Sequence, residues 1–226
     1  MPFPTFVIDF DSTFVRVESL DVLAGIALTA HPEREIRTAE VRRLTALAMN
    51  GELAFADALA RRLELIAPRR EHIVALVGRL HESISPSFRR NREFLVAHAD
   101  KIWIVSAGFH DYIDPVVAEF GLRRAQVLAN RFRFEGEAIT GFEADNPLAA
   151  DGGKVKVVTA LGVAKPIFVI GDGMSDYELF EAGVADRFFA YTENVRREKL
   201  IAVAPQTAAD LDEVFSVMKI TQTETS

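Results

Sequence analysis

Cysteine is absent from the 226-residue sequence, which removes disulfides, thiolate catalysis and cysteine-based zinc sites from consideration. That absence is compatible with a reducing compartment. No apolar run approaches the ~20 residues needed to cross a bilayer. The opening MPFPTFVIDF lacks the basic region of a secretory signal, and a cytoplasmic location is expected. A basic excess is also missing. The formal net charge is -7, so neither nucleic acid nor an anionic membrane is expected as a partner. An anionic small molecule stays compatible, because a bound metal ion or a few cations reverse the field within one cleft. Repeats and low-complexity segments are lacking too, and nothing in the sequence separates a monomer from a homodimer.

What is there is the composition of a globular protein, 49% apolar and 26% charged, long enough for a sizeable core. Three apolar runs stand out: TFVIDF (5–10), KIWIVS (101–106) and PIFVIGD (166–172). Each has strand length and no alternation, as parallel strands buried on both faces should. RFFAYT (187–192) adds a possible fourth. Helical patterns follow the runs, the last of them stopping at Gly183. Strands alternating with helices predict an α/β fold with a doubly wound parallel sheet, whose ligands gather at the carboxyl ends of the strands. Between the first two runs the pattern predicts helices over 18–29, 33–49, 53–66, 70–82 and 87–98, broken at His31-Pro32, Asn50-Gly51, Pro68 and Pro86. That is too many for one crossover, so residues 16–83 are expected to form an inserted helical cap on a core of 1–15 and 84–226. VLANRFRFEGEAITGF (127–142) predicts a hairpin turning at Glu135-Gly136.

Acids appear where the strands end. Asp9 and Asp11 stand one residue apart in FVIDFDST, and period-two alternation would send both to one side. Two carboxylates there suit a hard cation such as Mg²⁺. One can serve as a phosphoryl-accepting nucleophile and the other as acid and base. Ser106-Ala107-Gly108, read as the start of the next helix, offers a hydroxyl and free N–H groups to an anion. Lys154 sits at a helix N-terminus, where a cation opposes the macrodipole unless it has an anion to neutralise. Asp172 follows the third run and could complete a metal site, with Asp176 one helical turn on. Taken singly, each feature also reads as a capped turn or a solvated surface group. Their order at successive strand ends points to phosphoryl chemistry.

DFDST, the serine of VSAGF, Lys154 and GDGMSD together resemble the four motifs of the haloacid dehalogenase superfamily. FVIDFDSTFVRVESLDVLA and AMNGELAFADALARRLELI are similar to its phosphoserine phosphatase branch. The resemblance implies a Rossmann-like core with an inserted cap, and hydrolysis of O-phospho-L-serine as the last step of serine biosynthesis. It implies Asp9 as nucleophile, Asp11 as acid and base, and Mg²⁺ held by Asp9, Asp172 and the backbone carbonyl of Asp11. Ser106, Ala107, Gly108 and Lys154 would bind the phosphoryl group, with Asp176 in support. Glu18 would meet the substrate ammonium, Arg62 its carboxylate, and Met49 and Phe55 would cover the reacting group. Ala107 departs from the usual Ser-Gly-Gly, and Ser175 stands where Asn or Thr is common. The alternatives are the same chemistry on phosphothreonine, phosphohomoserine or a sugar-like phosphomonoester, phosphotransfer to an alcohol, and a non-catalytic phospholigand binder.

Overall fold

Chain order explains where the strands lie. In the computed structural model, which describes residues 2–49 and 52–217, β1 (Thr5–Ile8) leads into a tight turn over Phe10–Phe14. Four helices follow: α1 (Ser19–Ala27), α2 (Arg34–Met49), α3 (Phe55–Ile66) and α4 (Arg70–Glu82). The predicted helix over 87–98 is two, α5 (Pro86–Arg90) and α6 (Arg92–Ala97). They part at Asn91, whose side-chain amide donates to Ser87 and to Asp212. Next come β2 (Ile102–Phe109), α7 (His110–Val117), β3 (Val127–Asn130), β4 (Phe132–Glu135) and β5 (Ala138–Phe142). The chain continues through α8 (Gly153–Leu161), β6 (Ile167–Gly171), α9 (Met174–Glu181) and β7 (Arg187–Tyr191). The described part closes with α10 (Glu198–Ile201), β8 (Thr207–Ala208) and α11 (Leu211–Val217). The predicted break at Asn50-Gly51 lies outside the described residues.

The six-stranded sheet has the order β3-β2-β1-β6-β7-β8, and every pairing in it is parallel. Successive residues of one strand enter opposite cores. Phe6 and Ile8 of β1, and Phe168 and Ile170 of β6, pack on one face with helices of the 19–97 region. Val7, Ile167 and Val169 pack on the other with Val158 of α8 and Leu179 of α9. Covered faces on both sides are the reason these runs do not alternate. Among the described residues no helix is long and apolar enough to cross a membrane.

Two further expectations change. Val127–Asn130 does not belong to the hairpin; it is β3, an edge of the main sheet beside β2, because Val127 and Ala129 bury into the core. The hairpin is β4 with β5, and its turn falls on 136–137, where Gly136 takes a φ of 57°. The second change concerns β2, which runs on to Phe109, so Ser106-Ala107-Gly108 are strand residues and the helix starts only at His110. An irregularity in the β2–β3 register between Val105 and Phe109 bends this stretch instead of ending it.

The helical segment leaves and rejoins the sheet at one place. Val15 and Ile84 form an antiparallel bridge, Arg16 N–H donates to Ser83 at 2.8 Å, and Ser85 N–H donates to Phe14 at 2.9 Å. The corner between α3 and α4 is tied separately to the hairpin. There Arg69 bridges Ala138, and the N–H groups of Ile139 and Arg70 donate to Pro68 and Glu137, each at 3.0 Å.

Candidate active site

The sheet reverses direction of growth beside β1, which has β2 on one side and β6 on the other. The carboxyl ends of these strands frame a crevice of the kind that holds ligands in doubly wound sheets. Asp9 enters it directly after β1. Phe10 N–H donates to its Oδ1 at 2.7 Å, which fixes the carboxylate against its own backbone. Asp11 lies beyond the strand, inside the turn, so period-two alternation does not govern it. Its Oδ1 accepts from the N–H of Ser19 at 3.1 Å and, at short range, from the Ser19 hydroxyl. Burial, followed by the Glu18 charge, pushes the Asp11 carboxyl well above the usual carboxylate range.

Within that turn Ser12 adopts a left-handed φ of 54°, a conformation costing about 1 kcal/mol for a non-glycine residue. Its hydroxyl donates to Glu18 Oε1 at 2.8 Å. From the other side, Asn194 donates to the carbonyl groups of Ser12 and Thr13 at 3.0 and 3.2 Å.

Lys154 is buried at the first turn of α8. Its Nζ lies 2.9 Å from Asp9 Oδ1 and 2.7 Å from Asp176 Oδ1. Burial opposes the Lys154 charge, but Asp176 and Asp9 outweigh it and hold the proton more firmly than water does. Lys156, two residues on, is exposed. Asp176 reaches Lys154 because Gly171 has no side chain: a Cβ there would sit 2.3 Å from Asp176 Cγ. Burial and then Asp9 push the Asp176 carboxyl well up. The same two causes raise Asp172, which accepts from Thr13 Oγ1 at 3.1 Å.

One oxygen from each of Asp9, Asp172 and Asp176 falls within 4.8 Å of the others. The donors are all hard carboxylate oxygens, with neither histidine nor cysteine among them, which fits a hard divalent cation and not a soft one. The Asp11 carboxylate is not in this group.

Arg62 comes from α3 and is only 7% exposed. Its Nη1 donates to Thr45 Oγ1 at 3.1 Å and its Nε to the Ala58 carbonyl at 3.4 Å. Among the described residues no carboxylate forms an ion pair with it. Burial lowers its affinity for the proton, while Asp21, Glu18, Tyr112 and Asp11 pull the other way. Glu18, just ahead of α1, is raised by burial and by Asp172. Ser106 is buried and accepts from Gly108 N–H at 3.0 Å, so one of the backbone donors expected to face an anion is committed within the strand. Ala107 is half-buried and Gly108 buried. Phe55 is partly buried at the start of α3, packed on the main core. Ser175 is exposed at the start of α9. Met49 ends α2, and its side chain lies outside the described residues.

Two contributors escaped the sequence reading. Arg197, from the loop ahead of α10, donates to Asp172 and reaches Glu18. In VRREKL it is one of two adjacent arginines, with nothing to single it out. Tyr112 of α7 is fully buried, its ring packed against Phe10, Phe109 and Phe132. Burial, followed by the Asp11 charge, pushes its phenol well above the usual range. A cleft of about 720 Å³ lined by His110, Arg124, Asn146 and Val157 contains none of the predicted site residues.

Fold and site thus define an α/β protein whose sheet switch point carries a centre of carboxylates and a buried lysine. The chain belongs to the haloacid dehalogenase-like hydrolases, whose family model matches residues 6–181. It is 34% identical over 197 residues to the phosphoserine phosphatase of Rattus norvegicus, covering 85% of this chain and 83% of that one. The Homo sapiens phosphoserine phosphatase matches to the same extent. Among solved structures, a phosphoserine phosphohydrolase-like protein from Francisella tularensis superposes with a TM-score of 0.83 at 25% identity, over 96% of this chain and 100% of that one.

Proposed function

We propose that this protein is a Mg²⁺-dependent phosphomonoesterase that hydrolyses O-phospho-L-serine to serine and phosphate, in the cytoplasm and as the last step of serine biosynthesis. Residues 1–15 and 84–226 form the catalytic core in this reading, and 16–83 the cap. The observation that carries the choice of substrate is Arg62: a buried guanidinium on the helical segment that, among the described residues, forms no ion pair with a carboxylate. A buried cation of that kind suits the bidentate capture of a substrate carboxylate. Glu18 suits the ammonium beside it. The relatives named phosphoserine phosphatase support the same reading.

In the proposed reaction the Asp9 carboxylate attacks phosphorus in line, and the bond from phosphorus to the serine oxygen breaks. Asp11 gives that oxygen its proton, for which its raised affinity suits it. Asp11 then takes a proton from the water that cleaves the aspartyl-phosphate, restoring Asp9 and releasing phosphate. Lys154, Ser106 and the backbone around Ala107 and Gly108 bind the phosphoryl oxygens, and Asp176 orients Lys154. Asp9, Asp172 and the Asp11 carbonyl would hold Mg²⁺, which supplies charge neutralisation at the phosphoryl group. Phe55 and Met49 keep water away from the reacting atoms, and Ser175 lies at the rim.

The test is a panel of small phosphomonoesters, including both enantiomers of phosphoserine, phosphothreonine and a sugar phosphate, assayed with Mg²⁺ and with chelator. Highest kcat/KM on the L-enantiomer, loss with chelator, and loss in Asp9→Asn are expected. Arg62→Ala and Glu18→Ala should each lower phosphoserine kcat/KM by at least tenfold, about one charge-assisted hydrogen bond. Wild-type turnover in Asp9→Asn overturns the chemistry. Values within a few-fold of wild type in both other variants overturn the substrate.

A further inference from the structure

Helix α1 begins without a cap from its own flank. The first N–H groups of a helix have no partner inside it, and Glu18, the residue ahead of α1, makes no side-chain bond to them. Asp11 takes that place from eight residues upstream of Ser19. Both donors of Ser19, the first residue of α1, converge on a single oxygen. Its N–H meets Asp11 Oδ1 at 3.1 Å, and its hydroxyl meets the same atom at short range. Ser19 is fully buried, so both bonds are shielded from bulk water.

Two donors on one oxygen divide the carboxyl into unlike halves. A backbone N–H can only donate, so Oδ1 is fixed as the acceptor and the proton of a neutral Asp11 belongs on Oδ2. Among the described residues no group donates to Oδ2, and Asp11 is itself only half-buried. The last torsion of an aspartate is otherwise broad and twofold, with the two oxygens interchangeable. The Ser19 bonds remove that freedom, and they come from the first helix of the helical segment, not from the sheet.

We infer that Ser19 is a positioning residue for the leaving-group step: by holding Asp11 Oδ1 it presents Oδ2 as the oxygen that gives its proton to the departing alcohol. This rests on the reading of Asp9 as nucleophile and Asp11 as acid. As the bond from Asp9 to phosphorus forms and the bond from phosphorus to the serine oxygen breaks, the proton passes from Asp11 Oδ2 to that oxygen. The Asp11 carboxylate left behind keeps both Ser19 bonds, now made to a charged group and therefore stronger. Donors set in advance where charge develops favour the transition state over the ground state.

The experiment measures kcat/KM, which reports the steps up to loss of the alcohol, on O-phospho-L-serine and on acetyl phosphate, whose acetate leaves without needing a proton. Wild type, Ser19→Ala, Ser19→Thr, Asp11→Asn and the Ser19→Ala/Asp11→Asn double variant are compared, each with its melting temperature. Ser19→Ala removes one hydrogen bond to a group that gains charge, so kcat/KM on phosphoserine should fall about tenfold. On acetyl phosphate it should change by less than about threefold. Ser19→Thr keeps the hydroxyl and should stay within about threefold of wild type on both substrates. In the Asp11→Asn background Ser19→Ala should cost less than about twofold on phosphoserine, because the group it acts through is gone. An equal fall on both substrates, or an undiminished fall in the Asp11→Asn background, overturns this inference alone and assigns Ser19 to the fold. Unchanged phosphoserine turnover in Ser19→Ala overturns it too. Wild-type activity in Asp11→Asn overturns the reading of Asp11 as acid, and this inference with it.

Discussion

The Arg197 guanidinium holds Asp172 through two nitrogens, Nε and Nη2, each 2.8 Å from Oδ2, and its Nη2 also lies 3.3 Å from Glu18. One side chain thus joins a residue of the carboxylate cluster to the residue assigned to the substrate ammonium. In chelator, Arg197→Ala leaves those acids less compensated. The expected loss is about 2 kcal/mol, as for one hydrogen bond to a charged group, or roughly 5 °C in a chain of this size. A thermal melt with added Mg²⁺ should recover most of it, because the cation replaces the missing positive charge. An unchanged melting temperature in chelator would show that the contact contributes nothing to the fold.

Arg62 sets stability against function. Its buried charge has a hydroxyl and a carbonyl for company, and among the described residues no carboxylate comes within ion-pair distance of it. Arg62→Met keeps the length and removes the charge, so the ligand-free protein should gain about 1 kcal/mol in urea melts. Phosphoserine turnover should collapse in the same variant. A destabilised Arg62→Met protein would contradict this account.

Glycine positions separate close approach from simple flexibility. Gly171→Ala drives a methyl group into Asp176, breaking its pair with Lys154. A loss of at least about 3 kcal/mol is expected, the usual result of disrupting a buried pair, along with loss of phosphatase activity. Gly25, inside α1, has nothing within 4 Å of a built Cβ. Gly25→Ala should therefore stabilise by about 0.5–1 kcal/mol. Denaturant midpoints moving in opposite directions would bear this out.

Asp21 supplies a pH signature away from the Asp9–Asp172–Asp176 cluster. Burial raises its carboxyl despite Arg42 and Arg62, and among the described residues its Oδ1 has no hydrogen-bond partner. The folded state therefore binds this proton more tightly than the unfolded chain. The contribution to stability is present at and below the ordinary carboxylate range and is lost as pH rises through the raised folded value. Asp21→Asn should melt higher than wild type at pH 7, and the difference should shrink towards pH 4. A constant gap across that range would refute the assignment.

Strands β1, β2, β6 and β7 were legible because burial on both faces leaves unbroken apolar runs, and the acids after β1 and β6 broke those runs at the carboxyl ends. Asp9, Lys154, Asp172 and Asp176 could be grouped before any geometry, since strand ends in such a sheet converge. Asp11 was harder: its orientation comes from the Phe10–Phe14 turn and from Ser19, not from strand pleating. SAG in β2 looked like a helix start because small polar residues serve both roles. Arg197 and Tyr112 carry no periodic or motif signal, and Thr13, though it lies within DFDST, has nothing there to foretell its partner. Their roles depend on contacts across 159 residues, as for Thr13 with Asp172, or on an aromatic cage assembled from three separate segments.

The ties of the helical segment restrict its motion to a narrow set. Its two ends are clamped together at Val15 and Ile84, and its α3–α4 corner is stapled to the hairpin at Arg69 and Ala138. A plate pinned at both a root and a far corner cannot swing open like a door. Within that plate α2, packed on α1 and α3, carries neither pin. In the reading proposed above, those two ties leave α2 as the part of the segment free of either pin, over a crevice whose floor is the sheet itself.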